Sequence, residues 1–132
     1  MALTDSTEAE VLKYLFGRIP FTPPPTYYVG LSSTQVNEDG SGVTEPSSGG
    51  YARVAIPNTT VGFTFSGGQI TNGTQIAFPT ATASWGQQVE IEFFDQSSGG
   101  TVKMRGSLSP VQTIDTNQRI YFDPGDLSIQ AL

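Results

Sequence analysis

The chain contains neither cysteine nor histidine. That absence removes thiolate nucleophiles, disulfide frameworks, the Ser-His relay and the common zinc sites together. Charge is scarce as well: Asp, Glu, Lys and Arg make up 14% of the sequence, against about 25% in an ordinary globular domain. Six residues are basic, they are scattered, and the net charge is −6, so no segment can neutralise a run of phosphates. Nucleic acid is not expected as a partner. No stretch approaches the ~20 apolar residues of a membrane span, and Met1-Ala2-Leu3-Thr4-Asp5 offers neither a basic nor an apolar signal region. A chain made and soluble in the cytoplasm, without a membrane partner, is the expectation.

What is present is a modest apolar fraction of 36% with Ser and Thr filling the polar remainder, and 15 glycines and 9 prolines spread along the whole length. Turn-formers distributed in this way argue for many short strands over disorder. At 132 residues the chain is one domain, long enough to bury about two thirds of the surface its unfolded form exposes.

The helical signal is confined to the start. Asp5, Ser6 or Thr7 can cap, Thr7-x-x-Glu10 fits a capping box, and Ala9, Leu12, Leu15 and Phe16 recur at helical spacing. Gly17 stands where a helix C-terminus needs a left-handed residue. The following Arg18-Ile19-Pro20-Phe21-Thr22-Pro23-Pro24-Pro25 must be extended, because proline lacks an N–H and restricts the residue before it. Residues 1–25 therefore read as a short helix on a Pro-rich arm, and residues 26–132 as a β-sandwich domain.

From Thr26 the apolar period becomes two. Tyr27, Val29 and Leu31 share a face, Tyr51 to Ile56 forms a second run stopped by Pro57, and further strands are predicted over 61–65, 69–71, 75–78, 89–94, 101–108, 119–122 and 127–132. The loop 33–50 exceeds the usual length of a connection, which makes it either functional or mobile, and mobility is the expectation. Over 90–105, alternation predicts a hairpin with Phe93 against Val102 and Ile91 against Met104 on one face. The same register sets Glu92 against Lys103 and Glu90 against Arg105 on a solvent face.

Several segments, in order, resemble a family of small tailed-phage proteins labelled tail fibre proteins and similar to capsid decoration, or cement, proteins. They are Tyr27-Tyr-Val-Gly-Leu31, Asp39-Gly-Ser-Gly-Val-Thr-Glu45, Gly49-Gly-Tyr-Ala-Arg-Val54, Ile76-Ala-Phe-Pro-Thr-Ala-Thr-Ala-Ser-Trp-Gly86, Phe94-Asp95 with Gly99-Gly100, and Pro124-Gly-Asp-Leu-Ser-Ile129. Where the family tends to carry a Gly-Asp turn, this chain has Asp115-Thr-Asn-Gln118. The resemblance implies a non-enzymatic virion structural protein with a jelly-roll-like fold, assembled as a homo-oligomer, with a trimer the commonest expectation. It implies no catalytic residue and no cofactor.

Candidate chemistry is correspondingly thin. Glu90, Glu92, Asp95, Asp115, Asp123 and Asp126 are the only material for a glycosidase pair, and most of them sit in turn sequences. Glu38, Asp39 and Glu45, or Asp123 and Asp126, could gather around calcium, but without an EF-hand spacing they read as solvated loop acids, and no metal site is expected. Asn58-Thr-Thr60 and Asn72-Gly-Thr74 read as turns. Leu12, Leu15, Phe16, Ile19 and Phe21 place more apolar surface on the arm than a free tail should show to water. Either the helix folds back to close one end of its own sandwich or, the preferred reading, these five form a partner or subunit interface; the lone Trp85, a core or subunit-interface residue, is suggested with them. The reading is a capsid decoration protein on the virion exterior, bound to the major capsid protein and to copies of itself. A tail-associated or fibre module that recognises the host surface is the alternative.

Overall fold

A computed structural model describes residues 1–130. It is all-β apart from one helix, as the alternation predicts. In chain order the elements are β1 (Ala2–Leu3), α1 (Asp5–Leu15), β2 (Thr26–Ser32), β3 (Val54–Pro57), β4 (Phe63–Ser66), β5 (Gln69–Asn72), β6 (Ile76–Ala77), β7 (Gly86–Phe94), β8 (Val102–Ile114), β9 (Tyr121–Phe122) and β10 (Ser128–Gln130). They form a five-stranded antiparallel sheet in the order β1-β8-β7-β2-β3, a three-stranded sheet β10-β5-β4, and the pair β6-β9. The last two positions of the strand expected over 127–132 lie outside the described residues.

All three sheets supply the main core. Val29, Leu31, Ile56, Ile91, Phe93 and Met104 come from the large sheet, Phe63 from β4, Ile76 and Phe78 from β6 and its extension. Tyr27, Phe63 and Phe93 meet with ring centroids about 6 Å apart, a spacing that favours tilted and edge-on contacts. Two asparagines staple loops to this frame. Asn72, buried, donates to the Thr74 and Asp123 carbonyls and accepts from the Leu127 N–H. Asn58 holds the Pro24 carbonyl through its side chain and the Pro25 carbonyl through its N–H.

Four expectations need correction. The hairpin register is Phe93↔Met104, Glu92↔Arg105, Ile91↔Gly106 and Glu90↔Ser107, with a bulge between Phe93 and Phe94. From Met104 onward the faces are as alternation requires, but Phe94 already pairs with Val102 and the bulge adds one more step, so Glu92 does not pair with Lys103. That lysine instead reaches Glu10 of α1 at 2.9 Å. Val102 packs with Phe94 and Val36 instead of on the core face beside Phe93. Strand β8 runs on through Pro110 to Ile114 because pairing with β7 is interrupted between Ser107 and Gln112, where the missing N–H costs no ladder bond.

The helix begins one residue after Thr4, not at a Thr7–Glu10 box, and the Thr4 hydroxyl donates to the Val102 carbonyl at 2.8 Å instead of capping α1. Its C-terminus follows expectation. Gly17 takes φ +66°, and the Gly17 and Arg18 N–H groups return to the Tyr14 and Lys13 carbonyls, the pattern of a Schellman turn.

Loop 33–50, expected to be mobile, is packed across the second face of the large sheet. Val36 is fully buried with Phe94 and Val102, and Val43 and Tyr28 lie against them. The acids expected on a solvent face, Glu90 and Glu92, are therefore buried beneath this strap.

Candidate attachment surface and the polar layer beneath the strap

The arm leaves the sheet and returns to it. β1 pairs with β8, Thr4 is buried against Val102 and Lys103, Glu10 ties α1 to Lys103, and Asn58 receives the returning prolines. Between these anchors α1 contributes no buried residue at all. Leu12, Leu15, Phe16 and Phe21 are more than half exposed, Phe16 most of all at 76%, and Ile19 is 37% exposed. All five arm residues singled out from the sequence stand at least partly exposed on this doubly anchored bracket, Ile19 and Phe21 on its groove side. Tyr14 packs on Phe21 with ring centroids 4.5 Å apart, which joins the helix to the Pro-rich return. The bracket arches over an open groove of about 710 Å³ lined by Val11, Tyr14, Phe21, Tyr27, Asp95 and Lys103 among others. Lys13 and Arg18 give the distal half of the arm its only charges.

Trp85 lies elsewhere, inside the chain's own core. It is 7% exposed, stands edge-on to Tyr51 at 5.3 Å, and donates its indole N–H to the Gly49 carbonyl at the end of the strap.

The acids distribute between turns and the strap. Asp95 accepts the Thr101 N–H across the β7–β8 turn, Asp126 accepts the Asp123 N–H, and Asp39 accepts from the N–H and hydroxyl of Ser41, which hold its carboxyl below the usual range. Among the described residues no three acids are grouped so as to hold a metal ion.

Sequence reasoning missed the cluster under the strap. Arg53 donates to both oxygens of Glu45 at 2.8 and 2.9 Å and to the Gln96 and Gly99 carbonyls, while its guanidinium sits 3.3 Å from the centre of the Phe94 ring. Tyr51 donates to Glu45 and accepts the Leu31 N–H; burial and the neighbouring carboxylate push its phenol well up. Glu92, with no exposed surface, is pushed up to about 9 by burial, then by the Glu45 charge and, less, by Glu90, against the opposing pull of Arg53. The available signal was Gly49-Gly-Tyr-Ala-Arg53 preceding a strand, whose Tyr51 and Arg53 are the donors to Glu45.

The fold is a β domain closed by its own loop, with an apolar bracket on the outside. Its family is shown by comparison. The family model described as "Podophage GP4 fiber I protein gp80" matches residues 2–130, and the chain belongs to that family of tailed-phage virion structural proteins. No curated protein matches the chain significantly. No helix among the described residues is long and apolar enough to cross a membrane.

Proposed function

We propose that the protein is a capsid decoration protein, a jelly-roll-like domain without catalytic role that binds the assembled shell from outside and stabilises it by mass action. The observation that carries this reading is the arm. Five apolar side chains face water on a bracket anchored at both ends, so they are presented in a fixed arrangement at little further ordering cost. Burying them at ~1.5–3 kcal/mol each gives a gross gain near 10 kcal/mol before association is subtracted. The partners are the major capsid protein and copies of the chain itself, a trimer being the expected assembly.

A fibre module that contacts the host surface is the second reading, favoured by the description of the family. Copy number separates them. A decoration protein is present in purified particles in amounts comparable to the major capsid protein, and a fibre component in a handful. The Leu12→Asp, Phe16→Asp double variant, folded and added to particles lacking the protein, should fail to bind under either reading. Binding equal to the wild type removes the arm from the attachment.

A further inference from the structure

Beneath the strap, buried polar atoms stand without partners. They include both carboxyl oxygens of Glu92, Oε2 of Glu90 and Nε of the cross-strand Arg105. Three buried or half-buried carboxyls, Glu45, Glu90 and Glu92, meet two guanidiniums in this layer, with the exposed Glu38 at its edge. Arg53 is committed to Glu45 through two hydrogen bonds, and Arg105 approaches Glu38 of the strap at 3.9 Å. Glu90 accepts the Val36 N–H. Glu92 is left with no donor and no countercharge of its own, and its neighbour Glu45 converges on it over Gly30. A Cβ on that glycine would lie 2.9 Å from one Glu45 oxygen and 3.0 Å from one Glu92 oxygen. An ionised carboxylate in such a place is among the costliest groups to bury, and it takes up a proton instead.

We propose that segment 33–50 is a proton-gated strap, which lies closed over the sheet while Glu92 is protonated and is released when Glu92 ionises. The groups that face Glu92 are Glu45 from the strap, Tyr51 and Arg53 from the segment after it, Glu90 from its own strand and Arg105 from β8, with Glu38 behind that arginine. None supplies a donor to the Glu92 carboxyl. With the strap open, Glu92 is in water and titrates near the ordinary ~4.3. With it closed the value is about 9. A raised acid favours the closed form fully below the lower value and loses that contribution as pH rises through the higher one. Between the two, each pH unit shifts the closed-to-open ratio about tenfold toward open. Acid therefore tightens the strap and alkali loosens it, the reverse of a protein held by ionised carboxylates.

The test is carboxyl-carbon NMR of the whole protein from pH 4 to 10, combined with amide exchange corrected for the intrinsic rate. Glu92 should titrate near 9. Protection of the Val36 and Ser33 amides, which bond to Glu90 and Thr44, should fall about tenfold per pH unit across neutrality relative to core amides such as Val29. Glu92→Gln, a neutral isostere, should abolish that slope and keep the strap closed at pH 9. Glu45→Gln removes the nearest like charge and frees Arg53, so it should move the Glu92 midpoint down; it also serves if the first variant does not fold. A Glu92 midpoint in the normal carboxylate range, strap protection independent of pH, an unchanged slope in Glu92→Gln, or an unmoved midpoint in Glu45→Gln would each overturn the proposal.

Discussion

One face of the five-stranded sheet meets the other two sheets through Val29, Leu31, Ile91, Phe93 and Met104; the opposite face meets the strap through Gly30, Glu90, Glu92, Phe94 and Arg105. Most of these residues are closed to solvent, yet one layer is hydrocarbon and the other mixes carboxyls and guanidiniums with a small apolar cluster of Val36, Phe94 and Val102. Alternation along β7 sorts residues correctly onto the two faces. It does not say what lies above each face. A polar face reads as a wet one, and here a loop without any apolar period has closed it.

The contrast predicts different sensitivities. On the hydrocarbon side Phe93→Ala should have the largest effect, a loss of about 3–5 kcal/mol that leaves the domain marginal at 37 °C, as measured by denaturant unfolding. On the strap side Arg53→Ala should cost about 3 kcal/mol, because it strands Glu45 in a mostly enclosed site and uncovers Phe94. A cost below about 1 kcal/mol would mean that the layer is wet after all and the two faces differ more than the burial indicates. Val36→Ala should cost about 2 kcal/mol from one fully buried side chain, and much of that should appear as faster amide exchange in segment 33–50 while the core exchanges as before. The smallest change in stability, within about 0.5 kcal/mol, should come from Leu12→Asp with Phe16→Asp, since both side chains already stand in water. A thermal scan checks this in the same sample used for particle binding.

The strands were readable because β2, β7 and the first half of β8 carry clean alternation with turn glycines between them, and Gly17 announced the end of α1. Other features were not readable, each for a physical reason. β1 is two residues long and owes its place to Met1 and Leu3 packing on the core, a tertiary effect with no local pattern. The bulge at Phe93 and Phe94 moves the partners and turns Val102 to the strap face, so period alone predicts neither register nor sidedness across it. The strap covers the sheet through single apolar residues, Val36 and Val43, set in a polar run that resembles any solvated loop. The arm residues were legible as excess apolar surface. That they are presented on a bracket pinned at both ends was not, because the pin at Asn58 stands 34 positions from Pro24.

The double pinning of the arm has a mechanical meaning. A tail fixed at one end gives way by peeling, one bond after another, so its strength is that of its weakest contact. Here tension applied at Phe16 divides between the β1–β8 ladder on one side and the Asn58 clasp on the other, and the two must yield together. With three prolines stiffening one limb, the load reaches the sheet with little slack. A force applied anywhere along the arm is therefore passed to the folded body as a unit.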